Sequence, residues 1–539
     1  MNFVKTTLRR GTSQRILFTQ GIECSISPHG LSQFEIVINY LLFPHLVPQE
    51  NTPDTLIQRK NRSPHIMLNF YLFFPRNLNI NELTFPSHKI YLSTKNFVRL
   101  HTPPYDSFEL GDLPITNKYF NKSLGISELI SLENAIIQEI QLFSTFINSK
   151  TKYILQGIKG KNIIATSDII SLVNKVQESI NNFRMQYLAP IMDPHTITTS
   201  TLEEAFSKVD EYIGIQLEAL CKEMTLHLKI VEINDILQEE RRYLSIHYPR
   251  PSRHEEKIKR EEYFHRRSNL KKFVSKALYL DRIPHHREKF YSNLIAAIAA
   301  SLAALWANII TLRSNWAGQD EDLGVKFYFM LFVAVGAYVF KDRIKEISKE
   351  YFQKKLKKFI PDYEYHFNYD HYDQNNTFRS INVLRTQDNL GYIHPDSLPD
   401  DVSFIKNDIM AGEYNPYLQD SIYQFSKRVW MDPDFSELMN KNFTSFKDII
   451  RFNIQDFIQT FDNSTKEVAD FSESDQLILT EAPKLYYFDF IIKIKYSKKL
   501  YSNSGRKDSK EYTYQYQAHR LVLDKKGLIR IEEIFKAKV

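Results

Sequence analysis

Short apolar runs separated by Pro, Asn and Gly open the chain: FEIVINYLLF at Phe34–Phe43, IMLNFYLFF at Ile66–Phe74 and KIYL at Lys89–Leu92. Runs of this length between turn residues predict strands, and residues 1–120 read as a β-rich domain. From Ser127 the period changes. Leu129, Ile130, Leu132, Ile136, Ile137, Ile140 and Phe143 cover one stripe of a helix. A second helix is expected from Ser167 to Leu188, where Ile169, Leu172, Val176, Ile180, Phe183 and Tyr187 share a face and Pro190 ends it. A third begins near Leu202 and runs to Pro249, with Leu202, Phe206, Val209, Ile213, Leu217, Leu220, Met224 and Val231 close to heptad spacing. That seam suits either a coiled coil between chains or packing inside the chain's own bundle, and the two partner stripes favour the bundle. Residues 121–250 therefore read as a helical bundle.

The pattern then changes character. Phe290–Leu312 holds 23 residues without a charge, about 34 Å of helix at 1.5 Å per residue. A second apolar run, Phe327–Phe340, reaches span length only when extended back to Leu323 across Lys326. The pair, 290–312 and 323–340, predicts a transmembrane helical hairpin over 290–340, the alternative for the first run being an Ala-rich buried helix. Basic segments flank it, a juxtamembrane helix at 251–289 and an exit helix at 341–360. Arg241–Lys289 carries fifteen Lys/Arg against six Asp/Glu, and Lys341–Lys358 eight against three. By the positive-inside rule both flanks face the cytoplasm. Arg282, Arg287, Lys289, Lys341, Arg343, Lys345, Lys354 and Lys355 are the basic residues expected to face anionic lipid. Ala296, Ala300 and Ala304 repeat every four residues and, with Gly336 opposite and Asn308 seeking a hydrogen bond, are the expected helix-packing positions.

Residues 361–539 read as a mixed domain. Its end is the clearest part: FIIKIKY at Phe490–Tyr496 and YTYQYQA at Tyr512–Ala518 alternate strictly, and LVLDKKGLIRI places a turn at Asp524–Gly527 between two strands. An antiparallel β meander closes the chain. The expected fold class is thus an α+β membrane protein: β-rich N-terminal domain, helical bundle, two-helix hairpin and mixed C-terminal domain.

Composition changes this picture little. The 539 residues carry a net charge of +6 and only two cysteines, Cys24 and Cys221, too far apart for a zinc site or a disulfide framework. The longest apolar run near the N-terminus is Ile16–Phe18, so no cleaved signal is expected. Gly157-Ile-Lys-Gly160-Lys161-Asn162 lacks both the glycine spacing and the Ser/Thr of a phosphate loop. His366, Asp370, His371 and Asp373 are the candidate metal ligands, but their spacing matches no template and a strand would split them between two faces. No metal and no cofactor are expected. No nucleophile elbow, zincin helix, CxxC or dinucleotide fingerprint occurs, so no motif supports catalysis and the reading leans away from an enzyme, while paired carboxylates distant along the chain stay open. The expectation is a two-pass protein of a cytoplasmic-type membrane with both termini cytoplasmic, a scaffold or sensor that binds another macromolecule. The alternatives are an oligomerising effector whose hairpins permeabilise the membrane and a membrane-tethered hydrolase. Expected partners are an anionic bilayer, another protein and a second copy of the chain, and no nucleic acid.

Overall fold

A computed structural model describes residues 15–47, 66–101, 113–121, 126–159, 166–193, 195–196, 198–228, 231–251, 257–285, 361–372, 378–409, 420–432, 443, 445–462, 465–471, 477–497 and 512–538, with separate helical positions between 293 and 350. The strands are β1 (Arg15–Pro28), β2 (Gln33–Val47), β3 (Ile66–Pro75), β4 (Lys95–Leu100), β5 (Asp281–Pro284), β6 (Tyr363–Tyr372), β7 (Phe378–Ile393), β8 (Asp420–Met431), β9 (Ser445–Asn453), β10 (Thr465–Phe471), β11 (Leu477–Pro483), β12 (Tyr486–Ser497), β13 (Tyr512–Asp524) and β14 (Gly527–Lys538). The helices are α1 (Ser87–Ser93), α2 (Pro114–Asn121), α3 (Ile126–Lys159), α4 (Thr166–Phe183), α5 (Ser200–Leu228), α6 (Val231–His247), α7 (Lys257–Ser275), α8 (Asp400–Phe404) and α9 (Gln455–Gln459).

The architecture is α+β. Four strands pair in the order β1-β2-β9-β4 and eight in the order β14-β13-β12-β3-β8-β7-β6-β5, while β10 and β11 form a separate hairpin. Every named pairing is antiparallel. The two larger sheets pack face to face around one core. Phe34 and Tyr40 of β2, and Phe446 and Phe452 of β9, meet Phe70, Phe425 and Phe490 of the larger sheet. Phe70 stacks on Phe425 with centroids 5.3 Å apart, and Phe34 on Phe452 at 5.2 Å. β3 lies between β12 and β8, and β9 between β2 and β4, so the N-terminal and C-terminal regions share both sheets. α8 covers part of the outer face, burying Val402 with Tyr71, Phe73, Ile422 and Ile491.

The bundle has its own core. The near-heptad seam of α5, from Leu202 to Met224, is buried against α3, α4 and α6 within the chain. α7 joins the same core through Leu270 and Val274. Gln138 of α3 ties bundle to sheet by donating to the Asp370 carbonyl at 2.8 Å.

Two expectations are corrected. Lys89–Leu92 is helical within α1, not a strand. Pro86 precedes the helix, Glu82 accepts from the Ser87 N–H at 3.2 Å, and Ile90 and Tyr91 are both buried. Four residues of alternation are too few to outweigh that local cap and burial. The larger correction concerns the membrane. Among the described residues no helix is long and apolar enough to cross a bilayer, so the transmembrane hairpin and the two-pass membrane location with cytoplasmic termini are withdrawn. Length without charge was the misleading signal: seven of the 23 residues in 290–312 are alanine, which adds little apolar transfer energy. The second run reached span length only by including Lys326. Without a crossing helix the basic flanks have nothing to orient, and an effector that permeabilises with these hairpins loses its premise. The described positions of this segment are helical. Leu294, Ile298, Leu305 and Ile309 are exposed, while Ala296, Ala300 and Ala304 share a half-buried face.

Candidate functional site

The described residues hold no group of three His, Cys, Asp or Glu placed to bind a metal ion. In β6 the even positions His366 and Asp370 lie on one face and His371 on the other, stacked on Tyr369 at 5.8 Å. Asp373 lies outside the described residues. The His366 ring instead meets His285 at 4.0 Å, and burial together with that neighbour lowers its pKa. Asp370 pairs with Asp281, and desolvation first and the shared hydrogen bond second raise the Asp281 pKa.

Of the expected lipid-facing cations, Arg282 and Arg343 are described and the other six are not. Arg343 is exposed and bonded to Glu346 at 3.3 Å. Asn308 is exposed, and Gly336 has open space around it. Gly157–Lys159 form the end of α3, and the rest of that glycine loop is undescribed.

Two deeply buried ionic clusters hold the cores. In the sandwich, Lys427 of β8 is fully buried, 2.5 Å from Asp448 of β9. Across the β7–β8 register it faces Asp388. Tyr91 donates to Asp388, and Tyr40 to Asp448 at 3.4 Å. One lysine thus serves two carboxyls, and burial raises the Asp388 pKa against the opposing pull of Lys427. In the bundle, Arg184 forks between Asp210 (2.7 Å) and Glu240 (2.7 and 2.9 Å), while Tyr243 and Tyr248 donate to Asp210. Gly214 makes room for this network, because a Cβ there would lie 2.4 Å from Glu240 Oε1. Every charge in the bundle cluster has a partner, so that cluster reads as structural.

The cations that lack such partners gather elsewhere. Arg99 of β4, Lys152 of α3, Lys271 of α7 and Lys447 of β9 converge on the seam where bundle meets sandwich. Desolvation first, then Lys271 and Arg99, lower the Lys152 pKa. Desolvation, Arg99 and Lys152 do the same for Lys447, with Glu23 the one opposing charge. Among the described residues none of the four forms an ion pair. Like charges at close range raise the energy of the folded state, and an anion laid across them relieves it. Arg99 and Lys447 meet because β4 and β9 are adjacent with these two residues in register, and α7 brings Lys271 because Leu270 and Val274, on the face it flanks, are buried in the bundle. Sequence reading placed Lys271 in a basic stretch. Arg99, Lys152 and Lys447 come from three distant segments, and nothing local to each marks it.

Beside the seam is a pocket of about 310 Å³ between β4, β5 and the segment after α7. Phe97, Leu280 and Phe367 give it apolar walls, and Lys272, Lys276 and Arg282 contribute cations. The Arg282 guanidinium lies 3.5 Å above the Tyr365 ring and donates to the Tyr91 hydroxyl at 3.2 Å.

No protein-family profile, no curated protein and no solved structure matches this chain.

Proposed function

We propose that the chain is a scaffold or sensor that binds another protein, capturing an acidic segment of that partner on the seam of Arg99, Lys152, Lys271 and Lys447. The supporting observation is the convergence of four cations from four elements without an ion pair among the described residues. Their mutual repulsion costs stability, a cost that a binding surface repays on occupancy. The adjoining rings favour protein over nucleic acid. Phe97 and Tyr279 pack edge to face at 6.2 Å and, with Leu280, offer the apolar centre that protein interfaces rim with charge. The net charge of +6 and isoelectric point near 8.8 fall short of the basic balance of most nucleic-acid-binding domains.

The test is fluorescence anisotropy with a labelled oligoglutamate peptide and the full chain. Saturable binding that weakens as salt rises, and that the Lys152→Glu/Lys447→Glu double variant abolishes with melting temperature retained, is the expected result. Equal binding by that variant would refute the reading, and tighter binding of a single-stranded oligonucleotide of the same charge would replace it with a nucleic-acid one.

A further inference from the structure

The basic surface does not end at Lys271. Arg260, Phe264, Arg267 and Lys271 follow one another on α7 at intervals of four, three and four residues, which keeps them within about 60° of arc on one stripe of the helix. All four are exposed, Phe264 at 64%. The stripe borders the face that the bundle covers, where Leu270 and Val274 enter its core and Arg266 pairs with Glu211 of α5 at 2.5 Å. Arg267 lies 6.0 Å from the centre of the Tyr263 ring, and among the described residues Arg260, Arg267 and Lys271 form no ion pair. The two acids of α7 stand clear of them. Glu261 lies about a quarter turn round the helix and pairs with Lys257 at 3.8 Å, and Glu262 is placed on about the opposite side.

We infer that the acidic partner segment is an amphipathic helix running from the seam along α7, its acids on Arg260, Arg267 and Lys271 and one apolar side chain on Phe264, an inference that rests on the seam's being the docking site. Charge complementarity calls for an acidic occupant, and the spacing selects its form. From Arg260 to Lys271 α7 rises about 16 Å in three steps of about 5.5 Å, close to the pitch of an α-helix. A partner helix laid alongside at a shallow crossing angle presents the acids of one face at that same repeat. An extended segment repeats on one face at about 6.7 Å and falls out of step by about 3–4 Å over the three steps. Phe264 supplies what charge alone does not: an exposed aromatic between two arginines is the composition of residues that carry binding energy in protein interfaces. A single-stranded nucleic acid shares the charge of such a helix but not its repeat.

Fluorescence anisotropy on the full chain tests this with three labelled peptides: a short oligoglutamate, a peptide of about fifteen residues with one Leu and its glutamates at helical three- and four-residue spacing in an Ala/Gln background, and an isomer of the latter with the glutamates at alternate positions. The helical-spacing peptide should bind at least about tenfold more tightly than its isomer, a difference of about 1.4 kcal/mol, and gain helical circular dichroism on binding. Arg260→Gln/Arg267→Gln and Phe264→Ala should each lower its affinity to that of the isomer. Both variants change exposed side chains, so melting temperature and the binding of short oligoglutamate should stay as in the native chain. Lys536→Gln/Lys538→Gln on β14, the edge of the large sheet opposite β5, removes the same charge and should leave every affinity unaltered. Equal affinity for the two isomers, or full affinity in the α7 variants, overturns the helix assignment, and the seam survives it if Lys152→Glu/Lys447→Glu still abolishes the binding of short oligoglutamate. Absence of saturable binding by all three peptides overturns both. Tighter binding of a single-stranded oligonucleotide of equal charge, lost in the α7 variants, overturns the helix in favour of a nucleic acid.

Discussion

Replacing Lys427 with Met tests the ionic centre of the sandwich. Lys427 is fully buried and the Asp448 side chain nearly so, 2.5 Å away, with Asp388 on the adjacent strand. Methionine fills similar volume, so the change removes a charge with little cavity. Asp448 then loses its ion-pair partner and Asp388 keeps only Arg282, behind Tyr91, and breaking such a pair from one side costs about 3–5 kcal/mol. Proton uptake gives an independent figure: neutralising a carboxyl of ordinary pKa, about 3.9, at pH 7 costs about 4 kcal/mol. The two routes agree, which fixes the pH dependence as well. A carboxyl held neutral in the folded variant stabilises it fully below about pH 3.9, and this benefit is lost as pH rises. The deficit against the native chain should therefore widen by up to about 1.4 kcal/mol per pH unit from mildly acid to neutral conditions. Urea unfolding at pH 5, 6 and 7, followed by fluorescence of Trp430 on β8, measures it. A deficit under about 1 kcal/mol at pH 7, or one independent of pH, would refute the reasoning.

Asp388→Asn, replacing a carboxyl whose pKa burial already raises, should shift stability by less than about 1 kcal/mol. Urea midpoints should also lose the decline expected of the native chain as pH rises through the raised Asp388 pKa. Gly214→Ala should destabilise by about 1–3 kcal/mol in the bundle, because its Cβ forces Glu240 off Arg184; an unchanged melting temperature would count against the tight approach. Glu139→Ala should cost about 1–2 kcal/mol, since its carboxylate accepts from the backbone N–H of Ile115 and Thr116 and from the Thr116 hydroxyl at the start of α2; hydrogen exchange in α2 reads this directly. Lys152→Gln should raise the melting temperature at neutral pH while weakening oligoglutamate binding. Desolvation first, and repulsion from Lys271 and Arg99 second, lower its pKa, so the charged amine costs stability at neutral pH and that cost is relieved as the amine deprotonates in alkali.

Local periodicity told helix from strand where elements were long. The stripes of α3, α4 and α5 and the alternation of β12 and β13 are properties of consecutive residues, and the Asp524–Gly527 turn is one too: Asp524 accepts from the Lys526 and Gly527 N–H groups at 2.8 Å. Partner choice is not local. Phe70 carries no mark of Phe425 or Phe490, and nothing in Ile66–Phe74 says that β3 inserts between β12 and β8. The membrane reading failed because a count of charge-free residues takes Ala297 and Leu305 as equal. The seam was hidden for the same reason as the sheet order. Arg99, Lys152 and Lys447 matter only together, and the β4–β9 register that joins two of them appears only once the chain has folded.

The interleaving of early and late strands also orders events during synthesis. The Tyr40–Asp448 contact joins residues 408 apart, an interval that takes a ribosome roughly 20 to 80 s. Throughout that time the β1–β2 hairpin waits for β9, and β3 for β8 and β12, while the bundle, built from residues 113–275, closes on local contacts as it emerges. The nascent chain thus carries a finished helical body and an adhesive N-terminal ribbon together. Its cell must shield that ribbon until β9 and β12 arrive, and a ribosome stalled before residue 445 releases a product that lacks β9 and three of the eight strands of the largest sheet, β12, β13 and β14.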